Sequence, residues 1–237
     1  MNTILDCRKL KKSFAAFEFG PLDLKVDTGE CVAFLGHNGA GKSTFFQMIT
    51  GQLDPTSGEI RFLDQKMTPE NFELKRSLGY LPQNLELPDW ICATEVLDYA
   101  AKLYGIPQTA AANALKLWAV EGYKRTPLID CSHGMKKRVG LALASIHDPD
   151  LLILDEPFSG LDIAHIRTLK QLVAQRQKEG KTTFLSTHIL PYAGELCSRA
   201  LLLSNGQVRE LEQWKNQSSS ERSSLGEAAI FNEGSVI

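Results

Sequence analysis

Short apolar runs, each followed by a turn and then by residues at helical spacing, recur along this chain. Cys31 to Leu35 reads as a buried strand. Leu151 to Leu154, four apolar residues without a break, reads as a strand covered on both faces in a parallel sheet. Thr182 to Ser186 and Ala200 to Leu203 supply two more strands. Phe45 to Ile49 opens a helix after the first run, and Met135 to His147 forms another before the second. Ile163, Ile166, Leu169, Leu172 and Val173 fall on one helical face closed by Gly180. Residues 3 to 35 divide into short strands at turn signals such as Asp27-Thr28-Gly29-Glu30. Glu59 to Leu63 reads as an edge strand, and Gly79 to Gln83 as a brief strand ending in a proline-broken loop. Alternating strands and helices predict an α/β fold with a mostly parallel sheet covered on both sides.

One stretch breaks the alternation. From Thr94 to about Lys124 the chain is rich in alanine and leucine, with Val96, Tyr99, Ala100 and Leu103 on one expected helical face. Gly105-Ile106-Pro107 ends that helix, and a second near Ala110 to Glu121 puts Leu115, Trp118 and Ala119 inside. Residues 86–138 are therefore expected as a helical insertion between core segments 1–85 and 139–214. After Trp214 a serine-rich stretch predicts a flexible tail over 215–237, in which Leu225 to Phe231 has the makings of a short docking helix.

Composition narrows the function classes. A net charge of −2 gives no overall attraction to nucleic acid or to an anionic membrane. The five cysteines lack C-x-x-C spacing and read as free thiols in a reducing compartment. Asp6, Arg8 and Lys9 interrupt the first ten residues, so no secretory signal is expected. Apolar runs stop well short of the roughly 20 residues that span a bilayer. Any membrane role is expected to need another chain.

The strongest chemical signal follows the first strand. Gly36-His37-Asn38-Gly39-Ala40-Gly41-Lys42-Ser43-Thr44 fits G-x-x-x-x-G-K-[ST] between a strand and a helix. Its glycines let successive backbone N–H groups point at a phosphate, with the dipole of the following helix behind them. Lys42 brings positive charge to the terminal phosphates, and the Ser43 hydroxyl suits Mg²⁺. Asp155-Glu156 follows the Leu151 strand and places two carboxylates at the C-terminal edge of a parallel sheet, where α/β folds bind ligands. Asp155 is a Mg²⁺ holder and Glu156 a base or orienter for water. Ser132 and Gly134 sit at a helix N-terminus and make a second anion-binding corner.

With these motifs in order, the chain resembles the ATP-binding subunit of the ABC transporter family from about Ile4 to Trp214. Phe14 stands at the family's adenine-stacking position and Gln83 at its glutamine loop. Ser159-Gly160-Leu161-Asp162 stands at its aspartate loop, and His188 at its switch histidine. The family signature Leu-Ser-Gly-Gly-Gln is here Cys131-Ser132-His133-Gly134-Met135. Its ending and Leu103-Tyr104-Gly105 resemble the subfamily that serves ABC-2 type exporters.

The resemblance implies a P-loop NTPase core with an N-terminal antiparallel β subdomain and a helical insertion subdomain. It implies an ATPase using ATP and Mg²⁺, paired head to tail with itself or a second ATPase subunit. An integral membrane permease would hold it on the cytoplasmic face of a membrane; nucleic acid has no part. Gly36 to Thr44, Phe14, and Ser132, Gly134 and Asp162 of the dimer would bind nucleotide. Ser43, Gln83 and Asp155 would arrange the metal, and Lys42, Gln83, Glu156 and His188 would serve hydrolysis. Two other readings remain open: a soluble ABC-type ATPase powering an assembly complex, and a phosphate-loop kinase.

Overall fold

A computed structural model describes residues 2–234; Met1 and the last three residues of the expected tail, 235–237, lie outside the described residues. Strands β1 (Thr3–Ser13), β2 (Glu18–Asp27) and β3 (Cys31–Leu35) lead into helix α1 (Lys42–Ile49). Then come β4 (Ser57–Phe62), β5 (Gln65–Lys66), α2 (Phe72–Lys75) and β6 (Leu78–Leu81). Helices α3 (Ala93–Tyr104), α4 (Gln108–Leu117) and α5 (His133–Ser145) follow. The chain continues through β7 (Leu151–Asp155), α6 (Ile163–Lys178), β8 (Thr182–Ser186) and α7 (Leu190–Leu196). It ends in β9 (Arg199–Ser204), β10 (Gln207–Glu210) and α8 (Ser219–Gly234).

An antiparallel sheet runs β2-β1-β4-β5, and a six-stranded sheet runs β10-β9-β3-β8-β7-β6. The latter is parallel except for the β9–β10 hairpin. β4, expected at an edge, pairs on both sides, and two-residue β5 takes the edge instead. The unbroken apolar runs have a direct cause. Cys31, Ala33 and Leu35 of β3 enter one apolar cluster with the helices, while Val32 and Phe34 enter the other with the antiparallel sheet and α1. β7 divides likewise, Leu152 and Leu154 to one side and Leu151 and Ile153 to the other. Each of the valine, leucine, isoleucine and phenylalanine side chains among them contributes about 1.5–3 kcal/mol on burial. Strands with no solvent face carry their loops at a fixed height, and the phosphate loop rides on the middle of them.

Three expected helical faces hold in part, with single positions outside the core. α3 buries Ala93, Val96, Leu97, Ala100 and Ala101, leaving Tyr99 65% and Leu103 54% exposed. Its start is fixed by Glu95, whose carboxylate accepts the Cys92 N–H at 2.9 Å. From there the small alanines at 93, 100 and 101 join the core. α4 ends at Leu117 and Ala119 is exposed, whereas Leu115 and Trp118 are buried as expected. Ile163 is 87% exposed at the first position of α6, and only Leu169 and Val173 of its predicted stripe are fully inside.

The largest difference is the C-terminal stretch. The segment expected to be flexible folds through residue 234 as α8, packed along α7. Arg222 donates to the carbonyls of Trp214 (2.8 Å), Cys197 (3.0 Å), Lys215 (3.3 Å) and Gly194 (3.4 Å). Gly226 sits close to Leu190 and Leu35. The docking helix expected over Leu225 to Phe231 forms within α8, with Leu225, Ala229 and Ile230 against the core, and the serine-rich stretch before it is helical as well.

His147, just past α5, stacks flat on Tyr104 at 3.8 Å between ring centroids and donates from Nε2 to the Leu78 carbonyl at 2.9 Å. Its Nδ1 is buried without a partner among the described residues. Burial pulls this imidazole below its ordinary value of 6.5, outweighing the Leu78 contact that raises it; Arg176 also lowers it and Asp148 raises it. A histidine depressed in the folded state binds fewer protons there than in the unfolded chain. Its contribution is intact above 6.5 and is lost as pH falls below that value. Urea unfolding at stepped pH is expected to show stability falling through this window, with a shallower fall in His147→Gln. Identical slopes for the two proteins would refute the assignment.

Candidate nucleotide site

Gly36 and Gly41 show why the loop needs glycine. Gly36 has φ +145°, and a Cβ there would stand 2.3 Å from the Leu203 carbonyl oxygen. Gly41 has φ +110°, and its Cβ would meet the rings of Phe19 and Phe17 at 3.0 and 3.2 Å. The loop is thus wedged between β9 and the aromatic corner of the antiparallel sheet, with the N-terminus of α1 behind it. Lys42, 9% exposed, folds back and donates to the carbonyls of Gly36 at 2.6 Å and His37 at 3.0 Å. Burial lowers its pKa, while Glu156 and Asp155 pull it up.

Asp155 ends β7 two strands from the loop, and β8 lies between them. Ser43 donates to Asp155 Oδ2 at 3.3 Å. Ser186, the last residue of β8, donates to Asp155 Oδ1 and accepts the Glu156 N–H at 3.0 Å. Glu156 is held at φ +48°, a left-handed conformation that costs a non-glycine residue about 1–2 kcal/mol. Its carboxylate meets His188 Nδ1 at 2.9 Å. A cavity of about 310 Å³ joins Asn38, Gln83, His133, Lys137, Glu156, Ser159 and His188. The structure therefore brings Lys42, Ser43, Asp155, Glu156, His188, Asn38 and Gln83 to one edge of the sheet.

Four predicted residues stand apart from that edge. Phe14 is 46% exposed, its ring centroid 6.2 Å from that of Phe17, and Phe17 in turn lies against Gly41. Ser132 is exposed and caps α5 by accepting the Met135 N–H at 3.3 Å. Gly134 packs on the aspartate loop, where a Cβ would stand 2.3 Å from the Gly160 carbonyl oxygen. Asp162 caps α6, accepting from His165 N at 3.0 Å and bonding His165 Nδ1 at 2.7 Å. These His165 contacts hold its carboxyl below the usual carboxylate range.

Sequence reasoning did not single out Ser186, Lys137 or Phe17, and it read Leu225 to Phe231 as a docking helix without placing it at this site. Ser186 had one signal, a hydroxyl closing an apolar strand at the same sheet edge as Asp155. α8 reaches the loop directly: His37 Nε2 meets the Ile230 carbonyl oxygen at 3.2 Å. A cavity of about 750 Å³ is bounded on one side by Gly36, Asn38, Glu156 and His188 and on the other by Glu227, Ile230 and Phe231.

A hydroxyl and a carboxylate meet at Ser43 and Asp155, and Gln83 lines the adjoining cavity with Glu156 and His188. Oxygen donors with a single carboxylate suit Mg²⁺, which keeps several waters and takes its other ligands from substrate phosphates. The arrangement suits a nucleoside triphosphate, with the Glu156 carboxylate and the His188 imidazole paired beside the loop.

Comparison with known proteins agrees with this geometry. The ABC transporter family model matches residues 19–159, more than half of the chain. The ABC transporter ATP-binding protein YxlF of Bacillus subtilis (strain 168) is 35% identical over 222 residues, 90% of this chain and 73% of the relative. The ABC transporter ATP-binding protein NatA of the same organism is 32% identical over 215 residues, 88% of this chain and 87% of its own length. A solved ATP-binding subunit of an ABC transporter superposes with a TM-score of 0.83 at 28% identity. That match covers 95% of this chain and 100% of the other.

Proposed function

The chain belongs to the ABC transporter family as an ATP-binding ATPase subunit, and from that premise we propose that it powers an ABC-2 type exporter by closing head to tail on ATP. The observation that carries this reading is the Glu156–His188 pair at 2.9 Å beside the phosphate loop, with the Ser132 cap left exposed for a second subunit. A site whose base is aligned but whose second anion corner faces outward is half of a shared site.

In this mechanism Lys42 exchanges its two loop carbonyls for β- and γ-phosphate oxygens, and the loop amides neutralise the remaining charge. Phe14 stacks on the adenine. Ser43, Gln83 and Asp155 would hold Mg²⁺, which supplies electrostatic neutralisation of the phosphates when bound. Glu156 accepts the proton of the attacking water as its oxygen bonds to the γ-phosphorus and the bond to the bridging oxygen breaks. His188 orients Glu156 and steadies the charge that develops. Ser132 and Gly134 of the second subunit close over the γ-phosphate, and Asp162 links the two sites. Loss of the γ-phosphate removes contacts that only the closed dimer makes.

Among the described residues no helix is long and apolar enough to cross a membrane. Attachment to the cytoplasmic face would come through an integral permease. A cavity of about 580 Å³ beside the glutamine loop, lined by Gln47, Lys75, Tyr80, Asn84 and Tyr104, offers a place for a helix of that partner. Affinity isolation of the tagged chain from membranes tests the reading. Co-isolation of a polytopic membrane protein is the expected result. Recovery with a soluble scaffold alone would favour the assembly ATPase instead.

A further inference from the structure

Lys136-Lys137-Arg138 is a run of three cations, yet its middle member is only 3% exposed. Lys137 lies one turn into α5, one turn before Gly140. A Cβ on Gly140 would stand 2.6 Å from Leu81 Cδ1 and 3.1 Å from Leu85 Cδ2. That glycine lets α5 press on both ends of the loop that carries Gln83. Lys137 reaches into the loop and donates from Nζ to the Gln83 main-chain carbonyl at 3.0 Å. This is the ammonium's one hydrogen bond among the described residues, so two of its three donors remain.

Burying an ammonium is costly without opposite charge nearby. Burial pulls Lys137 below its ordinary range, and Asp155 and then Glu156 pull it back. The cation thus stands in the field of the two carboxylates that the mechanism uses, on the wall of the cavity shared by Gln83, Glu156 and His188. An apolar residue would fill the space beneath α5 without this desolvation.

We propose that Lys137 is a positioning residue for the metal-dependent step: its ammonium tethers the Gln83 backbone and so sets where the Gln83 side chain meets the Ser43–Asp155 corner. The signature helix and the metal corner are then joined by one hydrogen bond within the same subunit, and a tilt of α5 is felt at the nucleotide. This rests on the reading of Ser43, Gln83 and Asp155 as the Mg²⁺ site.

Binding of a fluorescent ATP analogue to the purified full-length chain, in EDTA and in excess Mg²⁺, tests the tether. Lys137→Met is expected to leave affinity in EDTA unchanged and to cut the tightening caused by Mg²⁺ about tenfold, the scale of a lost charged hydrogen bond. Turnover should fall, and KM for Mg²⁺–ATP should rise in step with the lost tightening. Lys137→Gln keeps an N–H donor without the charge and is expected to retain most of the Mg²⁺ effect. Wild-type tightening in Lys137→Met overturns the proposal. Equal loss in both variants overturns it too, because the charge and not the tether would then matter. If Lys137→Met does not fold, Lys137→Ala, which admits water, takes its place. Absence of any Mg²⁺ effect in the wild-type chain removes the metal corner itself, a failure distinct from that of Lys137.

Discussion

Glu156→Gln is expected to lower ATP turnover about 10²–10⁴-fold, the usual contribution of a positioned general base. The same change should leave ATP binding intact. The side chain keeps its length, and an amide can still hydrogen bond His188 across the 2.9 Å now spanned by the carboxylate. The left-handed backbone at 156 is equally strained in both proteins, and the Ser186 contacts to its N–H persist. Stability should therefore change little. Removing a negative charge beside the γ-phosphate position also favours the bound anion. With hydrolysis stopped, the closed form has no way to release its phosphate, so ATP should shift the variant to twice its monomer mass in size-exclusion chromatography. Turnover near wild type would take Glu156 out of its role. A dead but permanently monomeric variant would leave the base in place and count against closure as a dimer.

What the sequence disclosed, and what it hid, divides along physical lines. Strands buried on both faces announce themselves because every position must be apolar, and Leu151 to Leu154 needed no partner to be read. The phosphate loop was equally legible, since a backbone that passes within 2.3 Å of Leu203 at Gly36 admits no side chain. Asp155, Glu156 and His188 were found by order along the chain, and their convergence follows from strands β3, β8 and β7 lying side by side. Features that depend on neighbours were harder. The phase of α3 is set by which alanines meet the core, so Tyr99 and Leu103 looked buried by spacing and are not. The serine-rich start of α8 reads as a polar linker because its apolar seam, Leu225, Ala229 and Ile230, comes only after it and finds its partner in α7. Lys137 gave no sign at all: a cation within a run of cations reads as solvated, and only Gly140 a turn away explains how it is drawn inside.

Lys42→Ala is expected to weaken ATP binding about 100-fold. A lysine that offers charged hydrogen bonds to two phosphates contributes roughly 1.5–3 kcal/mol for each, and the lower value for the pair already reaches about two decades in affinity. Its fold should survive the change. Among the described residues the ammonium hydrogen bonds only to its own loop, at Gly36 and His37, and burial there lowers its pKa against the pull of Glu156 and Asp155. Removing it relieves that desolvation while freeing two carbonyls at a loop open to water. The two changes oppose one another, so the thermal midpoint in the absence of ATP should stay within a few degrees. The stabilisation by ATP expected of the wild-type chain should nearly disappear at concentrations up to several times the wild-type dissociation constant. Isothermal titration and a thermal melt with and without nucleotide read both quantities. Unchanged affinity would mean that the phosphates lie elsewhere, whereas collapse of the melt without ATP would make Lys42 a structural cation first.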